Sequence, residues 1–176
     1  MKSELTKSIE KKLFKSMDKL GQFLVLECCI GFGGGNNDRV DAISYNTTKK
    51  EITCFEIKIS VSDFHSKNKL SFVGNRNYFV LTEDVYDKVK NEIPKEIGVY
   101  LYEPKRYEPY RFFNNGEMRE IGDSLTLIKS CRKIDCHYDK EILLASMIRS
   151  TRNKTNLEIM KEVLLWKNGG LVFYVS

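Results

Sequence analysis

Two runs of strand-forming residues, RVDAISYN (39–46) and EITCFEIKI (51–59), are separated only by the polar tetrapeptide TTKK. β-Branched and aromatic residues suit the pleated, half-buried surface of a sheet, and so short a polar loop joins neighbouring strands as a hairpin. In the second run Phe55, Ile57 and Ile59 alternate with Glu56 and Lys58. Successive side chains on a strand point to opposite faces. One face is therefore continuously apolar and made for a core, while the other carries a carboxylate and an ammonium side by side.

The rest of the chain supplies partners for this hairpin. Leu5, Ile9, Leu13, Met17 and Leu20 recur at helical spacing, which predicts a helix over 3–20, capped by Ser3 and followed by Gly21. QFLVLECCI (22–30) reads as a strand, followed by the loop GFGGGNND. SVSDFHSKNK reads as a turn leading into a short helix, and NYFVLT (77–82) as a strand. Thr82 is placed to cap a helix over 83–92, with Pro94 just beyond, and GVYLYE (98–103) is another strand. Pro104, Pro109 and Asn114-Asn115-Gly116 predict a loop or small hairpin over 104–124. TLIKSCRKI follows as a further strand. Asp139 is placed to cap a helix over 140–151, whose apolar face is Ile142, Leu143, Met147 and Ile148. A last helix over 156–167 ends at Gly169-Gly170, and LVFYVS is strand-like. This order predicts an α/β fold with a mixed sheet. At 176 residues the chain is expected to form one domain, with a core that needs neither disulfides nor a structural metal.

Charge narrows the range of partners. With 29 Lys+Arg against 24 Asp+Glu the net charge is +5 and the pI about 8.8, so a polyanionic partner would need positive charge concentrated locally. No apolar run is long enough to span a bilayer, and the charged N-terminus MKSELTKSIEKKLFK has no signal-peptide core. A soluble, intracellular, cytoplasmic protein without a membrane partner is expected. The cysteines at 28, 29, 54, 131 and 136 are odd in number and form no CxxC pair. Cys131, Cys136 and His137 lack a second paired ligand set for zinc, so small apolar thiols are the better reading. Gly31-Phe32-Gly33-Gly34-Gly35 lacks both the Gly-Lys-Ser/Thr ending of a phosphate loop and the last glycine of GxGxxG. No nucleotide cofactor is expected. A loop at the rim of a site, able to approach phosphate closely, fits better.

The chemistry lies between Asp41 and Lys58. In an antiparallel hairpin Asp41 can lie close to Glu56. Two carboxylates, a lysine and a substrate phosphate are what Mg²⁺-dependent phosphodiester hydrolysis needs, because Mg²⁺ takes oxygen ligands and keeps several waters. The lysine can orient or help deprotonate the attacking water and offset developing charge. Spacing alone also fits a solvated strand face. The otherwise apolar character of the strand argues for chemistry.

The segments R39-V-D-A-I, F55-E-I-K-I-S, S62-D-F, the lysine-bearing stretch with Lys67 and Lys69, and N77-Y-F-V together resemble the PD-(D/E)XK nuclease superfamily. Within it the chain looks most like the small MmcB-like and phage-encoded members. The resemblance spans roughly residues 5 to 103, and Val40 stands where many members carry proline. It implies a restriction-endonuclease-like core with a central mixed sheet flanked by helices, and an extension over about 104–176. It also implies a metal-dependent deoxyribonuclease, endo- or exonucleolytic, leaving 5′-phosphates in DNA repair, recombination or phage DNA processing. Asp41, Glu56 and the carbonyl of Ile57 would hold Mg²⁺ or Mn²⁺, and Lys58 would orient water. An upstream glutamate is frequent in such proteins. Glu27, an acid inside the apolar run LVLECCI, is preferred to Glu10 on the first helix.

Further candidates surround this set. Asp63 is expected to cap or hydrogen-bond more than to ligate, and His65 is a weak proton-shuttle candidate. Lys67, Lys69, Arg76 and Asn77 are placed to meet phosphates, as are Arg149 and Arg152, spaced i, i+3 on one predicted helix. The aromatics from Tyr100 to Phe113 could form a homodimer interface or pack the C-terminal helices on the sheet. The alternative to a DNA-cutting enzyme is a non-cleaving module on the same fold that binds nucleic acid or protein.

Overall fold

The computed structural model describes residues 2–31, 39–66, 72–109, 118–136 and 138–167. Helix α1 (Glu4–Met17) leads into strands β1 (Gln22–Cys29), β2 (Arg39–Asn46) and β3 (Glu51–Lys58). A single turn, α2 (Val61–Phe64), precedes β4 (Arg76–Thr82), α3 (Glu83–Val89) and β5 (Gly98–Glu103). Then come β6 (Arg106–Pro109), β7 (Met118–Ile121), β8 (Ser124–Lys129), α4 (Lys140–Ser150) and α5 (Lys154–Lys167). Six strands form one mixed sheet in the order β1-β2-β3-β4-β5-β8. β1, β2 and β3 are antiparallel, β3, β4 and β5 parallel, and β8 returns antiparallel to β5. The protein is an α/β fold with helices on both faces of this sheet.

The alternation predicted for β3 sets the layers. Phe55 and Ile57 join Ile9, Leu13 and Phe14 of α1 and Ile159 of α5 in one cluster. On the other face α4 sets Leu143 and Met147 against Val25, Ile43 and Cys54. Beside α4, Val85 and Val89 of α3 pack on Phe79, Leu81 and Val99. Burying each such side chain contributes about 1.5–3 kcal/mol. The segment beyond residue 103 is built into this core. β8 completes the sheet, and α4 and α5 each cover a face.

Several boundaries differ from the sequence expectation. α1 stops at Met17, because the Asp18 carboxylate accepts the Leu24 N–H at 3.2 Å and Lys19 and Gln22 exchange backbone hydrogen bonds of 2.9 and 2.7 Å. Gly21, at φ 78°, closes that turn and leaves Leu20 fully exposed at its tip. Thr82 occupies the position before α3 without a capping side-chain bond, and α3 ends at Val89. The 104–124 segment contains the hairpin β6–β7, whose tip lies outside the described residues. TLIKSCRKI forms a strand only to Lys129, and its continuation is held by Arg132 N–H to Glu96 O and Ile134 N–H to Asn75 O. Of the aromatic run, Tyr100 packs on Phe55 and Tyr78, and Tyr102 is buried.

Cys28 and Cys54 are buried, and burial pushes their thiols up to about 11 and about 12, so both stay protonated. Cys29 is exposed, contrary to a uniformly apolar reading, and Cys131 and Cys136 are half-buried. No helix among the described residues is long and apolar enough to cross a membrane. The glycine loop from Phe32 to Asp38 and the strand-like LVFYVS lie outside the described residues.

Candidate functional site

Alternation slips in two neighbouring strands at one level. In β1, Leu24 and Leu26 face α1 while Val25 and Cys28 face α4. In β2, Ala42 faces α1 while Ile43 and Val40 both face α4. Regular alternation would send Cys28 and Val40 to the other side. The register Leu26↔Ala42 and Cys28↔Val40 leaves Glu27 opposite Asp41 at the slip. Glu27 has φ 50°, an unusual backbone for a residue with a side chain. Two acids thus stand where both strands turn over.

Asp41 reaches β3. The β2–β3 pairing ends at Ala42↔Phe55, and one further step of that register sets Asp41 opposite Glu56. There the Asp41 Oδ2 accepts the Ile57 N–H at 2.9 Å, taking the place of a ladder bond. Glu56 and Lys58 lie on the face opposite Phe55 and Ile57, as alternation requires. Both are about 95% buried, each being 5% exposed. Their parallel neighbours are Phe79 and Leu81, which strip water from the pair. Lys58 Nζ stands 3.9 Å from Glu56 Oε2 and 3.8 Å from Asp63 Oδ1. Asp63 is placed by α2. Ser60 caps that turn by accepting the Asp63 N–H at 3.1 Å, and Asp63 Oδ2 accepts the Ile59 N–H at 3.4 Å. Burial pushes the Asp41 carboxyl up, opposed by the Ile57 N–H and by the charges of Lys58 and Arg39.

A second acidic group adjoins the first. Glu10, the less preferred candidate for the upstream acid, is 3% exposed beside Ile9 and Leu13. Lys2 Nζ bonds Glu10 Oε1 and also Glu27 Oε1, the latter at 2.8 Å. Burial pushes Glu10 up against the pull of Lys2, and the charges of Glu27 and Asp41 push it further. Burial would also raise Glu27, but bonds from Lys2 and Thr155 and the charge of Arg39 bring it below the ordinary value. Glu27 therefore finds its ion-pair partner in Lys2, and Arg39 acts on it through charge. Asp41 lies in the field of both groups, Lys58 with Asp63 on one side and Glu10 on the other.

Other predicted residues are not gathered here. Arg76 pairs with Glu51 at 2.9 Å, and by register it stands beside Thr53, five residues from Lys58 along β3. At about 3.3 Å per residue that is roughly 16 Å away. Arg76 and Lys133, the latter also at 2.9 Å, hold Glu51 down to about 2. Asn77 is buried and bonds Gly74 through both ends of its amide. Arg149 donates to the carbonyls of Cys29 and Gly31 at 2.9 and 2.7 Å, tying the exit of β1 to α4. Arg152 lies in the turn after α4, so the two arginines do not share one helix. His65 is engaged by Glu92 at 2.7 Å. Lys67, Lys69 and His137 lie outside the described residues. The sequence reading overlooked Lys2, which only its place before α1 could have suggested.

Asp41, Glu56 and the Ile57 carbonyl offer only oxygen donors, the chemistry a hard dication takes, and two carboxylates leave room for water and phosphate. Among the described residues no group of three or more His, Cys, Asp or Glu is gathered at metal-holding distance. Comparison with protein-family models, with curated proteins and with solved structures gives no match to this chain.

Proposed function

We propose that this protein is a metal-dependent nuclease acting on DNA, built on a restriction-endonuclease-like core. The observation that carries the proposal is the joining of Asp41 to Ile57 N–H beside the buried pair Glu56 and Lys58. The order α1-β1-β2-β3-α2-β4, with the acids on β2 and β3, supports it. Asp41 and Glu56, with the Ile57 carbonyl, would hold Mg²⁺ or Mn²⁺, and Glu27 or Glu10 would stand near. When bound, the ion would lower the pKa of a water and offset charge on the scissile phosphate.

The chain's own residues do the rest. The Ile57 N–H fixes one oxygen of Asp41 and leaves Oδ1 for a ligand. Lys58, confined between Glu56 and Asp63, presents its ammonium to an attacking water or a phosphate oxygen. Phe79 and Leu81 keep that ammonium in a poorly hydrated setting, where its field acts more strongly. The setting would be repair, recombination or phage DNA processing.

The bond of Lys2 to Glu10 and Glu27 favours a second reading, a non-cleaving binding module whose acids are already neutralised by the chain. One experiment decides between them. The purified protein is incubated with linear, single-stranded, flapped and four-way-junction DNA with Mg²⁺ or Mn²⁺, beside a Glu56→Ala/Lys58→Ala variant. Metal-dependent cleavage by the wild type alone supports the nuclease. Binding without cleavage of any substrate supports the module, and the absence of both removes both readings.

A further inference from the structure

We propose that Thr155, in the segment beyond the nuclease-like half, is a positioning residue that aims Glu27 at the metal ion; the inference rests on the nuclease reading above. Among the described residues β1 is an outer strand of the sheet, with no neighbouring strand on one side of Leu26 and Glu27. The turn between α4 and α5 and the first turn of α5 take that neighbour's place. Asn156, fully buried, accepts the Leu26 N–H through Oδ1 and donates to the Leu26 carbonyl through Nδ2, both at 2.9 Å. Asn153 Nδ2 donates to the Leu26 carbonyl at 3.0 Å and to the Glu27 carbonyl at 3.5 Å. These side chains clamp the backbone at the residue where β1 takes its φ of 50°. Strained backbone of this kind persists only where its surroundings over-determine it.

Thr155 then acts on the side chain. Its Oγ1 donates to Glu27 Oε2 at 3.1 Å, while Glu27 Oε1 faces a cation, the Lys2 ammonium, at 2.8 Å. Asp41 is divided in the same way, with Oδ2 held by the Ile57 N–H and Oδ1 left over. Carboxylates that ligate metals are oriented by such outer hydrogen bonds. The two acids lie at the step between Leu26↔Ala42 and Cys28↔Val40, Asp41 with one oxygen fixed by a backbone N–H and Glu27 with Oε2 fixed by Thr155 and Oε1 on the Lys2 ammonium. In this arrangement Mn²⁺ would take the place at Glu27 Oε1 that Lys2 holds.

The test measures Mn²⁺ binding from the electron paramagnetic resonance of the free ion, with thermal unfolding in chelator alongside. The proteins are wild type, Thr155→Val, Thr155→Ser, Glu27→Gln and the Glu27→Gln/Thr155→Val double variant. Thr155→Val is expected to weaken Mn²⁺ binding roughly tenfold, the low end for an outer hydrogen-bond partner, and Thr155→Ser to restore it. The double variant should bind no more weakly than Glu27→Gln alone, and the metal-free unfolding temperature of Thr155→Val should stay near that of the wild type. Unchanged binding by Thr155→Val or by Glu27→Gln overturns the proposal, and so do losses that simply add in the double variant. A wild type that binds no Mn²⁺ and cuts no DNA removes the nuclease reading itself, and this inference with it.

Discussion

The Asp41 carboxylate accepts the Ile57 backbone N–H at 2.9 Å, one residue beyond the last paired step of the β2–β3 ladder. An acid on one strand thereby fixes the peptide whose carbonyl and flanking side chains form the proposed site on the next. Burial pushes that acid above its ordinary value, with the Ile57 N–H and Lys58 pulling against it.

The direction of this shift has a consequence for stability. The folded protein holds the Asp41 proton more tightly than the unfolded chain does. The stability that comes with protonation is present below the unfolded value and is lost as pH rises through the raised one. Asp41→Asn keeps a neutral acceptor for the Ile57 N–H. In chelator, the variant should therefore gain on the wild type as pH rises above the unfolded value of about 4, as read by guanidinium unfolding. At neutral pH Mn²⁺ should raise the unfolding temperature of the wild type and leave the variant unmoved. A stability difference that does not vary with pH would show that Asp41 ionises freely in the folded protein.

Lys58 is the second test of the electrostatic argument. Glu56 and Lys58 are each 5% exposed, and removing the ammonium takes a compensating charge away from the buried carboxylate. Lys58→Met should cost roughly 3 kcal/mol, the low end for breaking a buried ion pair, because the contact is 3.9 Å long rather than a close hydrogen bond. Glu56→Gln/Lys58→Met should recover part of that loss in urea unfolding. If the double variant is less stable than Lys58→Met, the two charges do not stabilise each other. Lys58→Met should also keep Mn²⁺ binding while losing cleavage, since it leaves Asp41 and Glu56 in place.

The sheet and the acids of β2 and β3 were legible because their signals are local. The alternation of Phe55, Ile57 and Ile59 with Glu56 and Lys58 fixes two faces whatever the strand packs against. The slip at Glu27 and Asp41 was not legible. It depends on a positive φ at a non-glycine residue, imposed by side chains 126 to 130 positions away along the chain. The burial of Glu10, placed second to Glu27 as the upstream acid, was not legible for a related reason. Its spacing places it beside the apolar stripe of α1, and only the packing of α1 on the sheet decides that it is buried. Arg76 and Arg149 looked like phosphate contacts because charge in a sequence carries no partner. In the fold Glu51 and the carbonyls of Cys29 and Gly31 take them up.

Lys2 holds Glu10 and Glu27 together through one ammonium. Replacing it with Met leaves a 3%-exposed carboxylate without its cation. The expected cost at neutral pH is about 1–3 kcal/mol, the usual penalty for an unsatisfied buried acceptor. The loss should shrink on acidification, because protonated Glu10 no longer needs the ammonium. If a divalent ion can take the position of the ammonium, Mn²⁺ should raise the unfolding temperature of Lys2→Met by more than it raises that of the wild type. Equal shifts would mean that Lys2 and the ion do not compete.

A substitution far from the acids provides the control. Gly98 begins β5 opposite Tyr78 of β4, and a Cβ there would run into the Tyr78 ring and come within 2.7 Å of the Lys129 carbonyl. Tyr78 cannot swing away freely, because it stacks on Phe55 at 5.9 Å and packs at a tilt against Tyr100 at 5.0 Å between ring centres. The Lys129 carbonyl belongs to the neighbouring strand β8 and is equally fixed. Gly98→Ala should therefore destabilise the fold by roughly 1–3 kcal/mol, the cost of overpacking a filled core, in guanidinium unfolding. The clash lies at the Arg76 end of β4, well away from Lys58, since Tyr78 pairs with Phe55 and Leu81 with Lys58. Below its unfolding transition the variant should bind Mn²⁺ as tightly as the wild type. A matching loss of metal binding would show that the aromatic stack at one end of the sheet and the acids at the other are mechanically coupled through β3.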